Sequence, residues 1–355
     1  MVAVPRRSLG SVVVLVIVTV TLGVAGAEPA RAGSGSCRPA VTALPGLGGT
    51  FAEARGANRS GVTVGGAQTA DGRVKAVWWG RDGRVRTIET GSGVIDTALD
   101  ANDAGAIVGI ADNPETGLTR GWYRSKRGKV TFLPVPAGVI GSYAARINNA
   151  GRVAGYVFFD TERFAPALWS TPSSRPVLLA RLPGRPDGLA FGINDAGTVV
   201  GGLGVSFGDL IPARWRHARP ALLRVGGVAV PGIGNDVNNR GQVAGTANRP
   251  SGGEQAVRWS ADGTARPLGV LPGGSTSVGL GISAQGWVTG RAEDRTGLTR
   301  AVVWPGHGPL RTLPALVRGG ATTGNAVDNA GTVVGQSDAA GEVSKAVRWR
   351  CAFGR

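Results

Sequence analysis

The chain has 355 residues, of which 60 are Gly and only 17% are charged. Abundant Gly and Val with little Lys or Glu argues against helices and for strands joined by tight turns. The net charge of +16, carried by 35 Arg and 4 Lys, attracts polyanions in general, yet there is no basic run long enough for a nucleic-acid arm and no known signature of one, which speaks against specific nucleic-acid binding.

Residues 1–32 read as a signal peptide. Arg6 and Arg7 form a positive start, Val12 to Ala27 is an apolar run of 16 residues, and Ala30-Arg31-Ala32 offers a small-x-small cleavage site. The run is short for a membrane span, which needs about 20 residues. Secretion to the extracellular side is therefore expected; the alternative is an uncleaved segment that anchors the chain at the outer face. Cleavage after Ala32 removes Arg6, Arg7, Arg31 and Glu28, so the charge falls by only two, to +14. Residues 33–37 then form a short linker, and 38–355 a single repeat domain.

The repeat begins at Gly61. A Gly after a turn recurs at Gly105, Gly151, Gly197, Gly241, Gly286 and Gly331, in steps of 44 to 46 residues. Four residues later a second Gly recurs, from Gly65 to Gly335, and a Trp follows the first Gly by 17 or 18 residues: Trp78, Trp122, Trp169, Trp215, Trp259, Trp304 and Trp349. Three residues before the first Gly stands Asn58, Asn102, Asn148, Asn194, Asn238, Ser283 or Asp328. Such side chains accept a backbone N–H and nucleate a turn, and Gly takes the positive φ that completes it. The pattern predicts a type I turn closed by a left-handed Gly. The second Gly marks a bulge or a close backbone approach. The Trp is expected to pack neighbouring units together.

Four short strands per repeat are expected, as in Ala190–Ile193, Thr198–Gly201, Ala213–Trp215 and Pro267–Leu271. Repeats of 40 to 50 residues with four strands match a seven-bladed β-propeller of four-stranded blades. A linear solenoid is the alternative, and the chain ends separate the two. Repeat seven stops after Trp349 without a fourth strand, while Arg38 to Gly49 looks like an orphan fourth strand. That piece completes the last blade and closes the ring. Cys37 and Cys351, the only two cysteines, flank those two strands, and a disulfide between them is expected in an oxidising compartment.

The motif INDAGTVVG of Ile193 to Gly201, the downstream Ala-x-x-Trp and the Leu-Pro-Gly-Gly of Leu271 to Gly274 resemble the HAF family of extracellular repeats over residues 40–350. The resemblance implies an exported bacterial propeller of unassigned function. Repeat six departs from it at Ser283-Ala284 and repeat one at Arg59, and these two turns are expected to be less regular.

No catalytic residue, metal site or cofactor is legible. The two histidines, His217 and His307, fall at hairpin positions after a repeat Trp. The turn lacks the alternating acidic ligands of a calcium loop. Residues expected to line the channel, such as Ala98, Ala144, Ala190 and Gly279, are small and inert. Function is expected instead in what does not repeat. The loop between strands two and three becomes YVFFDTERFAP in repeat three (156–166) and LGVSFGDLIP in repeat four (203–212). An aromatic patch of Tyr156, Phe158, Phe159, Phe164 and Phe207, rimmed by Asp160, Glu162, Arg163 and Asp209, is the candidate binding site; the plain alternative is a long hairpin with Phe159 and Phe164 paired across it. These features point to a monomeric, non-catalytic module that binds an anionic cell-wall polymer, a polysaccharide or another exported protein. A secreted glycan lyase or hydrolase with its site in the channel is the alternative.

Overall fold

A computed structural model describes residues 37–353 apart from 93–94, 113–117, 161, 307 and 342. The expected signal peptide, most of the linker and His307 lie outside the described residues. Almost everything described is strand or turn. The first strand is β1 (Ala40–Ala43), and repeat one follows as β2 (Gly48–Ala57), β3 (Thr63–Thr69), β4 (Val74–Trp79) and β5 (Val85–Thr87). Repeat two is β6 (Asp96–Ala101), β7 (Ile107–Asp112), β8 (Thr119–Arg124) and β9 (Val130–Phe132). Repeat three is β10 (Gly141–Ile147), β11 (Val153–Phe158), β12 (Phe164–Trp169) and β13 (Val177–Leu178). Repeat four is β14 (Asp187–Ile193), β15 (Val199–Gly204), β16 (Ile211–Arg216) and β17 (Arg219–Leu222), with one 3-10 turn at Phe207–Asp209. Repeat five is β18 (Gly232–Val237), β19 (Val243–Asn248), β20 (Glu254–Trp259) and β21 (Ala265–Pro267), and repeat six is β22 (Ser277–Ile282), β23 (Val288–Glu293), β24 (Thr299–Trp304) and β25 (Arg311–Thr312). Repeat seven has only β26 (Thr322–Val327), β27 (Val333–Ala339) and β28 (Val343–Arg350).

Repeats two to six are five separate four-stranded antiparallel meanders, and repeats one and seven share an eight-stranded sheet. Within that sheet β1 pairs antiparallel with β28, Ala40 opposite Arg350 through Ala43 opposite Val347, while β2 meets β28 at one parallel pair, Phe51 opposite Ser344. β1 takes the place of a fourth strand. Leu44 N donates to Ala346 O at 2.8 Å, as Leu133 N does to Gly121 O and Leu313 N to Ala301 O in complete repeats. The chain end is tied beside it by the Cys37–Cys351 disulfide, with Cα atoms 5.5 Å apart.

All seven turns have the expected form. Gly61, Gly105, Gly151, Gly197, Gly241, Gly286 and Gly331 hold φ between 73° and 85°, and each donates its N–H back to the residue three before it. The turns of repeats one and six are as regular as the rest, contrary to expectation, because Arg59 and Ala284 occupy turn positions that accept any side chain.

The second Gly sits opposite a bulge. On β10 the register slips between Ala144, which faces Gly155, and Arg146. A Cβ on Gly155 would run into the Tyr143 carbonyl, and one on Gly201 into the Leu189 carbonyl. The bulge brings the first strand too close for any side chain there.

The core lies between neighbouring sheets. Trp169 packs with Val153 and Ala167 of its own repeat and with Val108 and Leu133 of the one before. Its Nε1 donates to Pro134 O at 2.8 Å, and Trp215, Trp259 and Trp349 bond the same loop of their preceding repeats. In repeat one the Trp in this role is Trp79, whose Nε1 donates to Pro45 O, rather than Trp78, which lies outside under the Arg86 guanidinium. Trp122 sits two residues out of register, opposite Gly109, and Arg124 takes the place opposite Ile107. Leu44, Ala52, Trp79, Val334 and Ala346 form one cluster that joins the last repeat to the first.

Candidate functional site

The first strands of all seven repeats border a shared space, the channel, that holds two cavities. Its lining follows from the bulge. Ala98, Ala144 and Ala190, expected to face the channel, are fully buried in the core between sheets. The slip of one residue turns the next position inward instead. A cavity of about 190 Å³ is bordered by that inserted residue from each of the seven repeats: Arg55, Leu99, Ala145, Phe191, Asn235, Leu280 and Asn325, with Tyr143 and Arg146 beside them. The only charged side chains bordering it are arginines. Glu53 sits behind Arg55 at 2.7 Å; burial works against the Arg55 charge, and this carboxylate more than offsets it.

The residue after the bulge wedges between adjacent first strands. It is Gly56, Gly192 or Gly281 in three repeats and Ala326 in repeat seven, but Asp100 in repeat two, Arg146 in three and Asp236 in five. Asp100 accepts the N–H of Ile147 at 3.0 Å, and Asp236 that of Ile282 at 2.9 Å, so each carboxylate links its repeat to the next. Burial pushes the Asp100 carboxyl up to about 6, opposed by the Arg146 guanidinium and the Ile147 N–H and reinforced by the charge of Asp236. Asp236 is raised by burial in the same way.

The turn side of the channel is a second cavity, of about 170 Å³, bordered by turn residues of all seven repeats. Here the turn asparagines do two things at once. Asn148 Oδ1 accepts the N–H of Arg152 at 2.9 Å, which builds the turn, and its Nδ2 donates to Asn194 O at 3.0 Å, which ties repeat three to four. The same link runs from Asn58 to Asn102, Asn102 to Asn148, Asn194 to Asn238, and Asn238 to Ser283. Asp328 keeps the turn bond, to Thr332 N, but a carboxylate has no proton for the next carbonyl. A second circuit runs through the next turn residue, where Asp103 and Asp195 accept from the side chain of Asn149, and Asp195 from that of Asn239. Burial works to raise the Asp195 carboxyl, but the N–H of Asn149 and the amides of Asn239 and Asn149 hold it below the usual carboxylate range.

The aromatic residues read from sequence meet the other mouth of the channel. Tyr156 stacks on Tyr143 with ring centroids 4.8 Å apart and meets Phe191 edge-on at 5.7 Å. Phe158 and Phe164 face each other across β11 and β12 and join the same group, and Phe164 meets Phe207 at 6.2 Å. Phe207 ends the run in solvent, 63% exposed. The run therefore leads from an exposed ring to two residues that border the channel, Tyr143 and Phe191, which lie in the repeated strands and drew no attention in the sequence.

Phe159 is not part of it. It points to the opposite face of β11 and packs on the core around Trp169, so the cross-strand partner of Phe164 is Phe158. Asp160 caps its own loop, accepting the N–H groups of Glu162 and Arg163 and pairing with Arg163 Nε at 2.6 Å. Asp209 accepts the N–H groups of Val205 and Ser206. These rim charges are committed to loop shape. His217 lies exposed in a left-handed hairpin turn, with φ 49°.

Solved structures with this architecture are known. A streptogramin B lyase aligns over 88% of this chain and 97% of its own, with a TM-score of 0.56 and 12% identity. The virginiamycin B lyase of Staphylococcus aureus aligns over 88% and 99%, with a TM-score of 0.60 and 9% identity. The β-propeller domain of the trilobed protease of Pyrococcus furiosus aligns over 84% and 94%, with a TM-score of 0.54 and 12% identity. The chain is a propeller-like repeat protein. Identities this low speak to fold alone. No family model and no curated protein matches the sequence, so the HAF resemblance rests on the motif. Among the described residues of this propeller-like chain no helix is long and apolar enough to cross a membrane. The disulfide suits an oxidising, extracellular setting.

Proposed function

We propose that the chain is an exported, closed seven-bladed propeller whose aromatic channel mouth binds an acidic saccharide. In this reading the eight-stranded sheet is two blades, β2–β5 and β26–β28 with β1, that touch at one bridge. Three features support closure. β1 bonds as the fourth strand of repeat seven, Asn325 Nδ2 donates to Ala54 O at 2.9 Å across the join, and both channel cavities draw on all seven repeats. Residues 38–355 then form one domain. The apolar segment before it, the HAF-like motif and the disulfide all favour export.

The observation that carries the binding reading is the continuous ring run from Phe207 to Tyr143 and Phe191, ending at a cavity whose charged lining is Arg55 and Arg146. A pyranose has an apolar C–H face that lies on an aromatic ring, and a uronate or other acidic group on the next sugar reaches a guanidinium, which holds a carboxylate by two parallel bonds. Covering about 50 Å² of ring face contributes about 1.3 kcal/mol, or roughly tenfold in affinity. Titration calorimetry with uronate oligosaccharides and their neutral counterparts tests this: Phe207→Ala should weaken the acidic ligand about tenfold. Equal binding by the variant, or no preference for the acidic sugar, removes the proposal.

One observation favours a second reading, a glycan lyase or hydrolase. Two carboxyls with raised pKa act on each other, Asp100 at the turn-side cavity and Asp236 buried behind it, and such a pair can divide acid and base roles. Turnover of a polysaccharide that disappears in Asp100→Asn while binding persists would establish it; turnover unchanged in that variant would exclude it.

A further inference from the structure

The first and last repeats meet at a seam unlike the one between repeats four and five. There, arginines of the third strand close the groove by donating to a backbone carbonyl of the next repeat. Arg214 Nη1 and Arg216 Nη2 both reach Ala261 O, at 2.6 and 2.8 Å. The corresponding residues of repeat seven are Arg348 and Arg350, one before and one after the buried Trp349. The residue of repeat one in the place of Ala261, two after its buried Trp79, is Arg81. An arginine therefore stands where the acceptor should be, and three guanidiniums border one cavity of about 300 Å³.

Their hydrogen bonding is incomplete. Arg81 Nε donates to Ser60 O at 2.5 Å and Arg348 Nη2 to Thr63 Oγ1 at 2.9 Å, which leaves most of ten guanidinium N–H donors aimed elsewhere. Among the described residues the Arg350 side chain has no hydrogen bond or ion pair. The one carboxylate at the cavity, Asp328, is spent on its turn: Oδ1 accepts from Ala330 N at 2.9 Å and Thr332 N at 2.8 Å. Burial and the charge of Arg350 lower the Arg348 pKa, and the charge of Asp328 only partly opposes them, as expected for like charges held together.

We infer that this seam is an anion site, with Arg81, Arg348 and Arg350 as its ligands and a phosphate or sulfate group as its occupant. Tetrahedral oxyanions offer several acceptors to forked guanidinium donors and neutralise the clustered charge. The cavity exceeds a bare phosphate, so an ester of it fits. The site shares no bordering residue with the aromatic mouth, and it stands or falls separately from the saccharide proposal.

An anion that binds only the folded chain raises the unfolding midpoint saturably with its concentration. Thermal unfolding of the full chain, disulfide intact, is followed in inorganic phosphate against chloride at matched ionic strength. Glycerol 3-phosphate and a sulfated monosaccharide are run alongside to separate phosphate, phosphate ester and sulfate as the source. Wild type should show a saturable rise with at least one of the three. Arg350→Gln, exposed at the cavity edge, should keep its midpoint in chloride and need at least tenfold more anion for the same rise; Arg311→Gln, exposed on β25, should respond as wild type does. A rise in Arg350→Gln equal to that of wild type means a general salt effect on the surface and overturns the site, as does the absence of any saturable rise in wild type.

Discussion

The asparagine links make a sharp prediction, because the chain already contains its own variants of them. Asn148 is 3% exposed, with Oδ1 on Arg152 N and Nδ2 on Asn194 O. Asn148→Ala removes both bonds and strands a buried N–H and a buried carbonyl. At about 1 kcal/mol per bond, with the further cost of unmet groups, it should destabilise by about 3 kcal/mol. Asn148→Asp copies what nature has at 328: the turn acceptor stays, the donor goes, and a buried charge meets the Asn194 carbonyl, for about 2 kcal/mol. The reverse change, Asp328→Asn, supplies a donor where Asn58 O has room for a second bond and should gain about 1 kcal/mol. Guanidinium unfolding at pH 7, disulfide intact, measures all three. If Asp328→Asn destabilises, or Asn148→Asp costs under about 0.5 kcal/mol, the side chains build turns only and the inter-repeat bonds contribute nothing.

Three further outcomes follow from the same geometry. Trp169→Phe should cost about 1 kcal/mol more than Trp304→Phe in the same unfolding assay, since Trp169 Nε1 bonds Pro134 O while Trp304 Nε1 has no partner among the described residues. Cys37→Ser with Cys351→Ser opens a loop of 314 residues and should lower stability by up to about 5 kcal/mol, read as a fall in the denaturation midpoint. Asp100 titrates near 6 in the folded chain against 3.8 for an unperturbed aspartate, so its contribution is complete below about 4 and is lost as pH rises through about 6. Stability of Asp100→Asn relative to wild type should therefore rise by up to about 3 kcal/mol between pH 4 and 7; a flat difference would place the Asp100 carboxyl in water.

What was legible in the sequence is what occurs seven times. The turn Gly, the second Gly opposite a bulge, the missing fourth strand of repeat seven and its replacement by residues near Ala40 could all be read by alignment alone. What was lost turned on single residues. A strand alternates faces with every position, so a shift of one exchanges core for channel. The bulge moved Ala144 into the core and Ala145 to the channel, and no count of spacings revealed it. Trp78 and Trp79 stand side by side, and only pairing with Thr63 selects Trp79. Phe158 and Phe159 pose the same problem, settled by the register that sets Phe158 against Phe164. Tyr143 and Phe191 were overlooked because they lie in the repeated strands, where a large residue reads as core.

The two ends of the channel differ in what they leave free. At the turn end, side-chain amides and carboxylates bond one another from repeat to repeat, so the polar groups that repeat are already satisfied. The pattern fails at Ser283 and at Asp328, and the second of these lies beside the seam with its unpaired Arg350. At the other end the loops between second and third strands make fewer bonds from repeat to repeat among the described residues, such as Gly232 N to Leu210 O and Arg249 Nη2 to Ser275 O, and their length and sequence differ from repeat to repeat. Repeats three and four use that difference to set aromatic rings against the channel wall. The same repeats also place Arg146 at the wedge position and Phe191 in the bulge, so the variation in loop and strand converges on one side of the ring. A protein that needed only to fold would gain nothing from that coincidence at Phe207, whose exposed ring forgoes burial worth about 1 kcal/mol or more. That cost, carried by one ring, supports the proposal that the mouth between repeats three and four binds a ligand.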